Sequence, residues 1–203
     1  MRSADEILQE GIRAGQIGGS SKPHGDHAMG FVSFLGGTGE LSGHCIDLGS
    51  GVGIPGLILA DACPETTWTL VERRVGRTDL LQRAIRRLNL QDRVEVFSGD
   101  AAVAAHSSLR ASASWVTARS FGSPAVTSEC ATGFLAAGGS LLASESYDAD
   151  ISQRWPAEAL AETTGLSLKD EWTTEAGRYL RFERSSADLP LLPRKSARKS
   201  PLF

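Results

Sequence analysis

The positions in this sequence best able to do chemistry are a glycine run behind an aspartate and three charged residues spread further along. In Asp47-Leu48-Gly49-Ser50-Gly51-Val52-Gly53-Ile54-Pro55-Gly56, the apolar run Cys45-Ile46 into Leu48 stops at glycines, and Leu57, Ile58, Leu59 and Ala60 follow in a helical pattern. That layout predicts a strand, a tight turn and a helix whose first amides are free. Glycine allows positive φ and close approach of a ligand to the main chain, and a helix N-terminus presents unpaired N–H groups to electron-rich partners. Gly51-x-Gly53-x-x-Gly56 satisfies the dinucleotide fingerprint, a weak signal alone. Asp47 argues against that ligand, because a dinucleotide fold usually keeps an apolar residue at this strand end. A carboxylate suits an ammonium and a sulfonium, and suits a pyrophosphate poorly.

With Gly49 the series becomes D-x-G-x-G-x-G, which resembles the turn that holds the amino-acid end of S-adenosylmethionine (SAM) in methyltransferases. The expected contacts are Asp47, Gly49, Ser50, Gly51, Gly53 and Ile54. Glu72 ends the next apolar run, where the acid of a nucleotide-binding sheet accepts hydrogen bonds from ribose hydroxyls. A solvated glutamate at a helix start is the plainer alternative. Asp100 ends a third run ahead of Ala101-Ala102 and could take an adenine amino group, or simply cap the helix that follows, or both. Arg119, after a fourth run, cannot act as a base. Its fork could grip a phosphate or the cofactor carboxylate, and an ordinary surface arginine is the alternative.

Alternating elements must position these groups. Strands are expected at Cys45–Leu48, Thr66–Val71, Val94–Phe97, Ser114–Ala118, Ser140–Ser144 (after a Gly138-Gly139 turn), Leu166–Thr173 and Arg178–Arg184. Helices are expected at Pro55–Ala62, Arg73 to Leu90, Ala101–Ala105, Pro124–Leu135 and around Pro156–Thr163, with apolar residues at helical spacing. Ahead of these come a short amphipathic helix from Ala4 to Ala14 with apolar Ile7, a loop from Gly15 to Gly25, and a helix from Ala28 to Leu35 ended by Gly36-Gly37. The fold class is α/β: a doubly wound, mostly parallel seven-stranded sheet with a reversed last strand and a short helical N-terminal segment. Ligands then bind beyond the carboxyl ends of the strands, at the switch point beside the first. One domain is expected over 1–203, divided into N-terminal helices and loop (1–43), core (44–184) and basic tail (185–203).

Bulk composition narrows the function classes. The chain has 203 residues, 41% of them hydrophobic, enough for one sizeable core. A net charge of −3 carries no global field for nucleic acid or membrane. Cys45, Cys63 and Cys130 are odd in number and widely spaced, so reduced thiols are expected. No apolar run approaches the length of a membrane span, and the first residues lack a signal-peptide pattern; a cytoplasmic location is expected. His24-Gly25-Asp26-His27 has ligand-like spacing but no companion cysteines, and no metal is expected there.

The stretch from Ile46 through Gly56, Thr69-Leu70-Val71-Glu72, Arg73 to Leu90 and Ala118-Arg119-Ser120-Phe121 resembles the RsmG (GidB-type) methyltransferases. His27 and the proline-bounded basic tail from Leu192 to Leu202 are similar too. The resemblance implies methyl transfer from SAM to N7 of a guanine in small-subunit (16S) rRNA. It adds Gly49, Ile54, Ala101, Ala102 and Arg119 as cofactor contacts, with Arg119 also catalytic. The sequence departs from the family at Asp100, where members often carry arginine, and at Ala143-Ser144-Glu145, where they typically have Leu-Lys-Gly. Another RNA, a small molecule, or SAM or RNA binding without turnover therefore stay open as alternatives, and an NAD oxidoreductase is a more distant one. RNA or the small ribosomal subunit would be met by Arg83, Arg86 and Arg87 on one helix face, or by Arg194, Lys195, Arg198 and Lys199 in the tail. A merely solvated helix face would explain the first set as well.

Overall fold

A computed structural model describes residues 4–15, 17–33, 41–185, 191–195, 197 and 199–203. Gly36-Gly37, Arg198 and the Ile7 side chain lie outside the described set. The elements run α1 (Ala4–Arg13), α2 (Ser21–Ser33), β1 (Gly43–Leu48), α3 (Gly56–Ala62), β2 (Thr66–Glu72), α4 (Val75–Leu88), β3 (Val94–Ser98) and α5 (Ala101–Ala104). They continue with β4 (Ala113–Ala118), α6 (Pro124–Phe134), β5 (Leu135–Glu145), α7 (Ile151–Arg154), α8 (Ala157–Thr164), β6 (Leu166–Thr174) and β7 (Gly177–Arg184).

Seven strands form one sheet in the order β3-β2-β1-β4-β5-β7-β6. β1 through β5 pair in parallel, while β7 runs antiparallel between β5 and β6. Strand order reverses at β1 and β4, which is where a doubly wound sheet opens a crevice.

Alternating β1 side chains face two separate cores. Cys45 joins Phe31, Leu57, Leu59, Leu81 and Ile85 beneath α2, α3 and α4. Ile46 and Leu48 join Val126, Cys130, Phe134 and Leu160 beneath α6 and α8. A third cluster of Leu8, Ala28, Val52, Ile54, Ile58 and Leu80 seats α1 and α2 on the glycine turn. The expected amphipathic N-terminal helix thus roofs the turn.

Four boundaries differ from the sequence expectation. α2 starts at Ser21, inside the expected loop; Pro23 falls in its first turn, where a missing N–H costs little. α4 starts at Val75, because the Arg74 amide donates to Glu72 Oε1 at 2.8 Å and keeps Arg74 extended. β5 starts at Leu135, and the expected Gly138-Gly139 turn is a bulge within it: Ala113 pairs with Leu135 and Trp115 with Ser140. α7 has no apolar period and was not expected; the Asp150 side chain caps it by accepting from the Gln153 amide.

The described part of the tail is anchored on α6. Leu192 and Ala197 are buried, and the Arg194 guanidinium and amide donate to Glu129, which is wholly buried on α6.

Candidate active site

The glycine turn closes on itself. Gly49, Gly51 and Gly53 all take positive φ, at 66°, 60° and 101°. The amides of Gly53 and Ile54 donate to the Ser50 carbonyl at 2.7 and 3.3 Å. The Gly51 amide donates to Glu72 Oε2 at 3.0 Å. The expected free amides at this helix start are therefore partly spent within the turn, because the chain wraps round the Ser50 oxygen. Val52 and Ile54 point down into the apolar cluster under α1 and α2.

Asp47 lies beneath the turn rather than facing a ligand. It is fully buried, and Oδ1 accepts from Thr117 Oγ1 at 2.7 Å. Gly56 passes so close above it that a Cβ there would stand 2.7 Å from Oδ2, so only glycine fits. Burial pushes the carboxyl up to about 6, against the Thr117 hydrogen bond that pulls it down.

Glu72 closes β2, is nearly buried, and braces both sides of the crevice through the amides of Gly51 and Arg74. Asp100 is the N-cap of α5, where Oδ1 accepts from the Ala102 amide at 2.8 Å. Gly49, Glu72, Asp100, Ala101, Ser120 and Phe121 share a cavity of about 150 Å3, rimmed by Arg73, Arg74 and Arg77. Gly49, Ser50, Gly51, Ile54 and Arg119 line a neighbouring space of about 200 Å3. A third, of about 410 Å3, is bounded by His27, Arg119, Phe121, Ser144, Glu145 and Arg154. The spaces meet along Arg119-Ser120-Phe121, where Ser120 takes φ 51° to turn the chain after β4.

Arg119 sits at this junction. Its Nη2 meets His24 Nδ1 at 3.1 Å, and its buried Nη1 has no partner. Burial lowers its pKa from the ordinary arginine value, opposed by the charges of Tyr179 and Asp47. His27 packs against Phe31 and Tyr179, and burial, with Arg119 and His24 adding to it, holds its ring down at about 4.

The structure thus brings Gly49, Ser50, Gly51, Ile54, Glu72, Asp100, Ala101 and Arg119 to one cleft. It keeps Asp47 below that cleft, and Ala102 reaches it through its amide bond to Asp100. Sequence spacing singled out His24 only as a metal-ligand candidate, and did not point to Phe121 or the Arg73-Arg74-Arg77 rim. An aromatic two residues after the strand-end arginine was the one available signal, for Phe121. Arg83 and Arg86 are exposed, whereas Arg87 is engaged with Glu10 of α1. Lys195 and Lys199 are exposed, and Arg194 is held by Glu129.

Solved structures share this architecture. A methyltransferase from Geobacter sulfurreducens superposes with a TM-score of 0.62 at 15% identity, over 90% of this chain and 92% of that one. M. jannaschii TYW2, solved in complex with AdoMet, gives 0.60 at 16% identity over 84% and 80%. Among curated proteins, the ribosomal RNA small subunit methyltransferase G of Syntrophomonas wolfei is 28% identical over 155 residues, 72% of this chain and 70% of that protein. Other relatives of the same name match over half their length or less. The family model GidB, rRNA small subunit methyltransferase G, matches residues 30–168. With the β1 turn, Glu72 and Arg119 all inside that span, the chain belongs to the GidB family of small-subunit rRNA methyltransferases.

Proposed function

We propose that the chain uses SAM to methylate N7 of a guanine in small-subunit rRNA. The observation that carries this reading is the convergence of the glycine turn, Glu72 and a half-buried Arg119, its Nη1 without a partner, on one cleft in a chain of this family. When bound, the cofactor supplies an electrophilic methyl group; the chain's residues bind, orient and exclude water.

Glu72 is acceptor-only, and its lone pairs beyond those on Gly51 and Arg74 suit ribose hydroxyls. Asp100 and the α5 start suit the adenine edge. A guanidinium with an unpaired Nη1 suits the cofactor carboxylate. Asp47 supports the turn from below instead of touching the ligand. Guanine N7 has a lone pair and no proton to remove, so no side chain has to act as a base. Catalysis is then positioning and a shaped field, and Arg119 contributes by fixing the cofactor.

The space bounded by His27, Ser144, Glu145 and Arg154 adjoins this cleft and suits the acceptor base. RNA phosphates would meet Arg73, Arg74 and Arg77 at the rim, then Arg83 and Arg86 along α4. The tail is a weaker choice. Gly133 at the far end of α6 packs against Leu192 and Pro193. An eleven-residue helix places that end roughly 15 Å from the cleft.

One observation favours a different acceptor. Glu145 sits at the acceptor space with its oxygens taken by Arg154 and Trp155 Nε1, a carboxylate where the resembled family typically has glycine, next to Ser144 where it typically has lysine. Calorimetric titration with SAM, with NADH as control, tests the cofactor assignment. Binding of SAM alone is expected; binding of NADH alone would overturn it.

A further inference from the structure

We propose that His24 is a positioning residue for Arg119: from the first turns of α2 it holds the guanidinium so that Nη1 is left for the carboxylate of the cofactor. The proposal rests on the SAM reading above and adds to it the group that aims the arginine.

His24 makes two contacts of opposite demand. Its Nε2 lies 2.8 Å from the Gly18 carbonyl, and its Nδ1 lies 3.1 Å from Arg119 Nη2. A carbonyl only accepts and a guanidinium only donates. Both contacts therefore exist together only in the neutral ring that carries its proton on Nε2. The imidazole is a bracket, anchored on the loop before α2 at one end and holding the arginine that follows β4 at the other.

The surroundings leave Arg119 little else to hold it. Among the described residues it makes no ion pair, and its Nη1 is buried without a partner. His27, one turn further along α2, is kept neutral by burial beside it. Asp47 of β1 and Tyr179 of β7 act on it only through their charge. The guanidinium is half-buried, and a buried charged N–H without an acceptor costs free energy, so the arrangement is intelligible if an anionic ligand completes it. His24 then serves because it holds the guanidinium without neutralising it, as a carboxylate would.

The opposed contacts give a discriminating pair of variants. An asparagine oxygen can occupy the place of Nδ1, and a glutamine amide can occupy that of Nε2. His24→Asn keeps the acceptor for Arg119 and gives up Gly18; His24→Gln keeps Gly18 and gives up Arg119. SAM and 5′-methylthioadenosine, which lacks the amino-acid end, would be titrated calorimetrically into wild type and both variants. The expected result is SAM affinity about tenfold weaker in His24→Gln, the worth of one charge-assisted hydrogen bond, with His24→Asn close to wild type. Methylthioadenosine affinity should be equal in all three. Unchanged SAM affinity in His24→Gln, loss in His24→Asn instead, or equal loss for both ligands would overturn the positioning role and leave the cofactor reading intact. A wild-type chain that binds neither ligand would overturn the cofactor reading, and this proposal with it.

Discussion

At the scale of single residues, Gly51 shows why a spacing pattern and its physical cause must be kept apart. The pattern suggests that a side chain here would collide with a ligand. In the structure the nearest atom to an added Cβ is Arg77 Nη1 at 3.8 Å, so room exists; the constraint is φ at 60°. Gly51→Val should cost about 1–2 kcal/mol of stability through left-handed strain and abolish SAM binding by shifting the amide on Glu72. Unchanged affinity in calorimetry would refute that. His27 gives a pH signature. Its folded ring takes a proton only near 4, against 6.5 in the unfolded chain, so unfolding takes up protons between those values. Its contribution is thus complete above pH 6.5 and is lost as pH falls towards 4. Asp47, raised from 3.8 to about 6, works oppositely in an overlapping window, losing stability as pH rises through it. For His27→Phe, whose ring cannot protonate, the Tm difference from wild type should therefore move in the variant's favour as pH falls from 6.5 to 4. A constant difference would contradict the assignment.

Elements were legible wherever one local rule governed them. The strands from β1 to β4 and the pair β6–β7 stand within a residue or two of their expected places, because apolar runs bounded by glycine or charge leave few alternatives. α7 and the early start of α2 were not legible, since a capping aspartate and a tolerated proline are weak signals beside an apolar period. The anchoring of the tail was not legible for a related reason. Its charge pointed to RNA contacts, and nothing local shows that Arg194 meets Glu129, 65 residues earlier and wholly buried. Arg194→Ala should therefore leave the buried carboxylate with only the backbone amide of residue 194 and cost about 2 kcal/mol, read by chemical denaturation. The double variant Arg194→Ala with Glu129→Leu should recover most of that loss. A single variant as stable as wild type would mean that the strap carries no load.

At the scale of the whole molecule, the cleft is the product of a topology that the alternation of elements announced. The reversal at β1 and β4 gathers the glycine turn, Glu72, Asp100 and Arg119, four signals read separately along the chain, at one end of the sheet. What the chain order concealed is the roof: α1 and α2 fold back over the turn and bring His24 to an arginine 95 residues away. Family membership and this cleft together lead to rRNA methylation, with the acceptor as the decisive element. Small ribosomal subunits from a strain lacking native guanine-N7 methylation, incubated with the chain and tritiated-methyl SAM, followed by mapping of the labelled base, measure it directly. Label on N7 of one guanine of the small-subunit RNA, absent with Arg119→Ala, is the expected result. SAM binding with no label in that RNA would contradict the assignment.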